Sequence, residues 1–300
     1  MKNPYLLLIF ATLFWAGNFI LSKAMSAELP PIALAFWRWS MAFLLIVIIA
    51  HRKFASDWPQ IRKHLPVLLP ISFFGIAAFN TLIYVGLQST TALNSLLLQS
   101  FFPVVVAIMS FIFLGERLRR TQLGGILVSL CGTLLLVTRG DLTTLLAASF
   151  NRGDLWVITA VCCYAAYAIL LRYRPPIHAF SFLTITFGLG TLMLMPVYLW
   201  EHMHVRAVNW QWNSVLTVAY LAVFPSFISY LFFNEAVRKI GASTAGLFSH
   251  LVPLFGSVMA ILFLGEPFYL YHALGAAFTF TGIYLVISNK RISKRVKEST

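Results

Sequence analysis

Long apolar runs separated by short polar segments dominate the chain. A run of about 20 apolar residues forms a helix long enough to cross a bilayer, whereas the strands of a membrane barrel alternate apolar and polar residues. Residues 41–50 are continuously apolar. The pattern predicts an all-α membrane protein with ten transmembrane helices, at 5–24, 31–50, 65–88, 93–114, 121–138, 153–173, 178–199, 214–236, 243–264 and 268–287.

The composition excludes a soluble fold. Of the 300 residues, 60% are hydrophobic and only 10% are charged, and the mean hydropathy is +0.84. Soluble domains carry about 25% charged residues. A chain with so few charges cannot cover a water-exposed surface, and its apolar content also excludes disorder.

The net charge of +13 indicates topology rather than a nucleic-acid partner. If the N-terminus lies inside, most of the 22 basic residues fall in inner segments, and the outer loops hold only Arg139, Arg152 and Arg206. The positive-inside rule then predicts that both termini are cytoplasmic. We expect a multi-pass protein of the cell inner (plasma) membrane, whose basic tail could also contact anionic lipid.

The two halves of the chain align when one is shifted by 150 residues. Pro103 aligns with Pro253, and the Leu-Gly-Glu of residues 114–116 aligns with that of residues 264–266. This predicts a first five-helix repeat at 1–140, a second at 141–288 and a cytoplasmic tail at 289–300.

Equivalent loops of the two repeats carry opposite charge patterns. Three arginines follow Glu116, at 117, 119 and 120, whereas uncharged residues follow Glu266. Five helices per repeat and opposite loop charges together predict that the repeats are inverted in the membrane. Inverted repeats are typical of secondary transporters, in which two halves rock about a site near the midplane.

The motifs of the first half resemble those of a known family. Phe-Trp-Ala-Gly-Asn-Phe at 14–19 is followed by Lys23 and Arg38, and Leu-Gly-Glu-Arg-Leu at 114–118 precedes Gly125. In order and spacing these resemble the EamA-type branch of the drug/metabolite transporter superfamily, over essentially the whole chain. The resemblance implies a five-plus-five inverted fold with a central cavity lined mainly by helices three, four, eight and nine. It also implies export of amino acids or other small metabolites, or of drugs.

Polar side chains within the apolar helices are the candidates for the substrate site. Such groups usually face the interior of a helix bundle. Pro103 and Pro253 each remove a backbone donor and are expected to kink helices four and nine, freeing the carbonyls of Gln99 and Ser249. Packing by interhelical hydrogen bonds is the alternative for each candidate. The candidate substrate-binding residues are Trp15, Asn18, Asn80, Tyr84, Asn94, Gln99, Tyr230 and His250.

The sequence allows more than one role for each of two charged residues within helices. Arg38 lies well inside the second helix, where it could bind a substrate carboxylate, although a structural ion pair or a helix-end contact is favoured. Glu235 lies three residues before Arg238, so a structural ion pair is favoured over proton coupling.

The sequence contains no pattern that indicates an enzyme. Cys131, Cys162 and Cys163 all fall in apolar spans, which favours packing over disulfides or a zinc site. We expect no cofactor and no metal. The N-terminus has the features of a secretory signal, but its apolar run is longer than the usual core, so we expect it to be retained as a helix.

These observations favour a secondary transporter that exports small metabolites, most simply amino acids or related zwitterions, by alternating access. Multidrug or organic-cation efflux is the alternative. Hypotheses of other classes are an intramembrane enzyme that uses His250 and Glu235 as acid and base, and a channel or structural membrane partner. The expected partners are a small-molecule substrate and the lipid bilayer, with no nucleic acid, and the expected state is a monomer or weak homodimer.

Overall fold

Ten helices of membrane length make up most of the described chain. The computed structural model describes residues 3–25, 28–141, 143–144 and 149–298. The predicted all-helical fold with ten transmembrane helices is confirmed within these residues. The helices α1–α10 are Pro4–Ser22, Pro31–Lys63, Leu65–Gly86, Ala92–Leu114, Arg120–Val137, Arg152–Tyr173, Ala179–His204, Trp212–Ile240, Ala242–Phe263 and Leu270–Ser288.

Two helices extend well beyond their apolar runs. The second span was predicted to end at residue 50, but α2 continues to Lys63, and the helical backbone of α10 continues to Glu298. Hydropathy marks where a chain leaves the lipid, whereas a helix ends only where its backbone hydrogen bonds stop. In the polar extension of α2, the Asp57 carboxylate accepts a hydrogen bond of 2.9 Å from the His178 N–H, just before α7. The side chains of the predicted basic tail, 289–300, lie outside the described residues.

Four helices are irregular, and the irregularities recur about 150 residues apart. A π-helical segment occupies Phe73–Ala78 in α3, and another occupies Ala222–Ile228 in α8. The helix of α4 is interrupted at Phe101, and α9 contains a 3₁₀ turn at Phe248–His250. Such segments are common at functional sites, and these four helices surround the cavity described below.

The interruptions of α4 and α9 lie beside prolines at equivalent positions. Pro103 lies two residues after the turn at Phe101, and Pro253 lies three residues after His250. Because proline has no N–H, it cannot bond to the carbonyl four residues earlier. Both helices end at a glycine with a left-handed backbone, Gly115 with φ of 65° and Gly265 with φ of 69°, a conformation that favours glycine.

Helices α5 and α10 pack through glycines at two levels. A methyl group added at Gly132 would lie 2.6 Å from the Gly275 carbonyl oxygen, and one added at Gly125 would lie 2.6 Å from that of Gly282. The helices are therefore in backbone contact, which only small residues allow. The earlier glycine of α5 meets the later glycine of α10 and the later one meets the earlier, so the two helices are antiparallel.

Candidate functional site

A central cavity lies between the helices of the two halves. It contains about 90 Å³ of space that the centre of a water molecule can reach. This space holds a small polar ligand or several waters. Residues from α1, α3, α4, α5, α6, α8 and α9 line it: Trp15, Asn18, Phe79, Asn80, Ile83, Leu96, Gln99, Ser100, Phe102, Thr133, Val161, Tyr164, Tyr230, Ser249, Val252 and Pro253.

Aromatic rings form one wall of the cavity. The Trp15 ring lies edge-on to Tyr164, with centroids 5.9 Å apart, and edge-on to Tyr230 at 6.4 Å. Phe79 stacks on Tyr164 at 4.3 Å. Trp15 is fixed further by its Nε1–H, which donates to the Pro225 carbonyl at 3.2 Å. The wall is therefore held in one arrangement before any ligand enters.

The π-helical segments supply backbone acceptors to this wall. The Tyr230 O–H donates to the carbonyl of Gly75 at 2.7 Å, and Gly75 lies in the π segment of α3. The Trp15 acceptor, Pro225, lies in the π segment of α8. The π segment of α3 thus orients the Tyr230 ring, and the π segment of α8 orients the Trp15 ring.

Neutral amides and hydroxyls supply the polar part of the lining. Gln99 donates from Nε2 to the Ser95 carbonyl and hydroxyl, both at 3.2 Å. Ser249 Oγ is buried and has no hydrogen-bond partner within the described part of the chain. The hydroxyl of Ser249 is therefore available to a ligand.

Arg38 is a common hydrogen-bond partner of Tyr84, Asn18 and Asn80. Tyr84 is buried behind the cavity wall rather than in it. Its hydroxyl donates to Asn18 Oδ1 at 3.1 Å and accepts from Arg38 Nη1. Asn80 donates from Nδ2 to the Tyr230 hydroxyl at 3.4 Å. The polar end of the cavity is thus continuous with a buried guanidinium group.

Asn94 lies away from the cavity. Its Nδ2 donates to the Ser149 carbonyl at 3.2 Å and to Asp154 Oδ2 at 3.3 Å. Asp154 is buried and also accepts from the Thr90 hydroxyl. Asn94 therefore joins the starts of α4 and α6, and its side chain is already bonded there.

His250 also lies outside the cavity lining, fully buried between three helices. Its Nδ1 lies 2.7 Å from the Ser129 hydroxyl of α5, and its Nε2 lies 2.8 Å from the Ser100 carbonyl of α4. A carbonyl can only accept, so Nε2 carries the proton, and Nδ1 accepts from Ser129 in the neutral ring. The imidazole thereby bonds to the backbone of α4 next to the interruption.

Glu235 forms ion pairs near the end of α8. Its carboxylate lies 2.6 Å from Arg238 Nη2 and 3.4 Å from Lys239 Nζ. It does not line the central cavity. The arrangement is the structural ion pair that the spacing favoured.

A second cavity, the vestibule, adjoins the central one. The two share Leu96, Val252 and Pro253. The vestibule offers about 220 Å³ on the same measure and leads to the ends of α5 and α9. There Arg139 Nη2 lies 3.2 Å from Glu266 Oε1, so an exposed ion pair lies at its rim.

Sequence reasoning missed two buried carboxylates, those of Asp154, described above, and of Glu201. Glu201, near the end of α7, is 3% exposed and accepts from the backbone N–H groups of Ile32 at 3.1 Å and Ala33 at 2.7 Å. These are orphan donors of the first turn of α2, where negative charge is favoured. The apolar run around Glu201 was the only signal in the sequence that this acid is buried. No cluster of three or more His, Cys, Asp or Glu that could hold a metal is found in the described part of the chain.

Comparison with known proteins identifies similar transporters over the whole chain. The sequence profile of the EamA-like transporter family matches residues 2–138 and again 151–288. The Bacillus subtilis (strain 168) protein named uncharacterized transporter YyaM is 29% identical, over 97% of this chain and 96% of that protein. An uncharacterized transporter of Archaeoglobus fulgidus is 28% identical, over 96% of this chain and 99% of that protein.

A solved structure shows the same fold. It superposes with a TM-score of 0.76 over 97% of this chain and 99% of its own chain, at 18% sequence identity. This similarity concerns the fold alone. With ten membrane-length helices and transporter relatives, the chain is a multi-pass membrane protein.

Proposed function

The chain belongs to the EamA-like transporter family, and we propose that within this family of small-molecule membrane transporters it exports small zwitterions such as amino acids. The observation that carries the proposal is the central cavity, which α1, α3, α4 and α5 of the first half and α6, α8 and α9 of the second half line together. A site shared by two halves changes its access when the halves move relative to each other.

The lining favours a small zwitterion over other solutes. Trp15, Tyr164 and Tyr230 can cover the apolar or cationic part of a ligand, and Asn18, Asn80 and Gln99 offer neutral hydrogen bonds. A polyphosphate would require several arginines or lysines, and none of the described residues that line the cavity is an arginine or a lysine.

Inverted repeats are one architecture that supports alternating access. The antiparallel contact of α5 with α10 and the opposite charges of equivalent loops support this arrangement. We place both termini in the cytoplasm and the protein in the inner (plasma) membrane, acting as a monomer or weak homodimer. The vestibule then opens to the outer face.

Efflux of lipophilic organic cations is the second candidate. The aromatic wall favours it, because a cation can lie over Trp15, Tyr164 or Tyr230. This function would need no hydrogen bond from Gln99.

Counterflow in proteoliposomes distinguishes the two candidates. We expect the purified chain to exchange labelled small amino acids but not lipophilic cations. Gln99→Ala should reduce amino-acid exchange by about five- to tenfold, because a lost hydrogen bond of about 1–1.5 kcal/mol changes affinity by that factor. Glu235→Gln, outside the cavity, is the matched control and should exchange normally. Exchange of cations alone, or loss of activity only in Glu235→Gln, would contradict the proposal.

Opposite labelling of equivalent positions is expected if the repeats are inverted. Arg120 and Leu270 begin α5 and α10 and are exposed. In a background without Cys131, Cys162 and Cys163, the Arg120→Cys variant should react with a membrane-impermeant thiol reagent only from the cytoplasmic side. The Leu270→Cys variant should react only from the outer side. Labelling of both from one side would exclude the inverted repeat.

A further inference from the structure

Arg38 is a buried cation without an anionic partner. It is 1% exposed, and no Asp or Glu carboxylate lies within ion-pair distance of it in the described part of the chain. Its Nε and Nη2 donate to Ser226 Oγ at 2.9 and 2.7 Å. Its Nη1 donates to Asn18 Oδ1 at 3.0 Å, to Asn80 Oδ1 at 3.1 Å and to the Tyr84 hydroxyl. Every acceptor is neutral.

Such an arrangement is costly for folding. Neutral acceptors satisfy the N–H groups, and the Trp39 ring, 4.8 Å from Arg38 Cζ, adds a cation–π contact. None of these partners is an anion, and a buried charge without a counter-ion is strongly unfavourable. The structural ion pair and the helix-end contact that the sequence favoured for Arg38 are both absent from the described residues. An ionisable residue held in this way within a membrane marks a functional site.

Two of the acceptors separate Arg38 from the central cavity. Asn18 and Asn80 line the cavity, and the same side chains bond to Nη1 through their oxygen atoms. The guanidinium group is therefore only one side chain away from the ligand space. A ligand reaches Nη1 only when one of these amide side chains swings away from Arg38.

We propose that Arg38 is the subsite for the carboxylate of the substrate. This inference rests on the proposed function and specifies the class of solute: a small monocarboxylate-bearing metabolite. On entry, the carboxylate replaces the Asn18 and Asn80 oxygens as the acceptor of the Nη1 hydrogens and neutralises the guanidinium charge. The released amides turn their NH₂ groups to the ligand.

The subsite makes the two ends of the cavity chemically different. The position equivalent to Arg38 in the second half, 150 residues later, is Gly188, so the second half has no counterpart of this cation. A bound zwitterion places its carboxylate toward Arg38 and its ammonium group toward the rings of Trp15 and Tyr164. The same charge repels a lipophilic cation, which weakens the case for cation efflux.

Ligand pairs that differ only in the carboxylate test the subsite. The probes are small amino acids, their primary amides, the corresponding decarboxylated amines and monocarboxylates without an amine. Binding to the purified full chain is followed by tryptophan fluorescence, since Trp15 lines the cavity. We expect each acid to bind at least about tenfold more tightly than its amide, as hydrogen bonds between charged groups contribute about 1.5–3 kcal/mol. Arg38→Gln should bind acid and amide alike, and Arg38→Lys should keep part of the preference.

Asn80→Asp is the decisive variant, because it places a carboxylate of the same shape beside Arg38. The new ion pair should raise the melting temperature and abolish the preference for acids over amides, without removing Arg38. If Asn80→Asp still prefers acids over amides, Arg38 has only a structural role. This variant also keeps the test informative if Arg38→Gln fails to fold.

The outcomes separate the subsite from the proposed function. Binding of amine-free monocarboxylates but not of amino acids would refute the zwitterion proposal and leave the Arg38 subsite standing. Equal binding of acids and amides by the wild-type chain, or binding of no carboxylate at all, would overturn the subsite.

Discussion

Replacement of His250 by alanine is expected to lower the melting temperature and the yield of folded protein, with no change in the apparent affinity for substrate. The imidazole bonds to the Ser129 hydroxyl and to the Ser100 carbonyl, and both partners are buried. The Ser129 hydroxyl keeps the Ile126 carbonyl as a partner at 3.0 Å. The Ser100 carbonyl loses the imidazole N–H, and a buried group left unsatisfied costs about 1–3 kcal/mol. The absent ring also leaves a cavity where α4, α5 and α9 meet, which adds to the loss. Thermal unfolding in detergent and counterflow of the folded fraction measure the two effects separately.

Two further variants make the His250 prediction specific. His51→Ala removes an exposed histidine and should leave the melting temperature unchanged. Ser129→Ala removes one partner of the ring and should have a smaller effect than His250→Ala. If His250→Ala unfolds at the wild-type temperature but raises KM, His250 contacts the substrate, as its sequence position first suggested.

The fold could be predicted from hydropathy because the bilayer imposes one length on every crossing helix. The predicted helix ends were wrong outside the bilayer, where the length of the apolar run no longer sets the length of the helix. The helix of α2 continues through the polar residues 51–63, since nothing at residue 50 breaks its hydrogen bonds. Nor did hydropathy predict the π segments at Phe73–Ala78 and Ala222–Ile228.

The candidate site was predictable only to the level of which helices carry polar groups. A polar side chain within a membrane turns toward protein, but the interior includes both a cavity and the contacts between helices. Gln99 lines the cavity, whereas His250 bonds α4 to α5. The difference depends on the rotation of each helix, which the sequence does not encode locally.

The surroundings of Arg38 were likewise not predictable from the sequence. Its four neutral partners come from α1, α3 and α8, and Ser226 belongs to a π segment. The charge was visible in the sequence. That no carboxylate accompanies it among the described residues becomes visible only when these helices are brought together.

Filling the vestibule is expected to abolish transport without unfolding the protein. Gly256 lines the vestibule, and a Cβ added there meets no atom within 4 Å. A phenylalanine at this position therefore extends into the space that leads from the central cavity to the Arg139–Glu266 pair. Counterflow of the amino-acid panel through Gly256→Phe should fall to the level of empty liposomes, while the melting temperature stays near that of the wild-type chain.

Gly124→Phe provides the matched control. Gly124 is also helical and also has no atom within 4 Å of an added Cβ, but it lines neither the vestibule nor the central cavity. The two variants add the same ring to equally open positions, so a general effect of a bulky side chain would reduce both activities alike. We expect only Gly256→Phe to block transport, because the substrate must pass the space that its ring fills. Wild-type counterflow through Gly256→Phe would mean that the substrate reaches the central cavity by another route, and the vestibule would then have no part in transport.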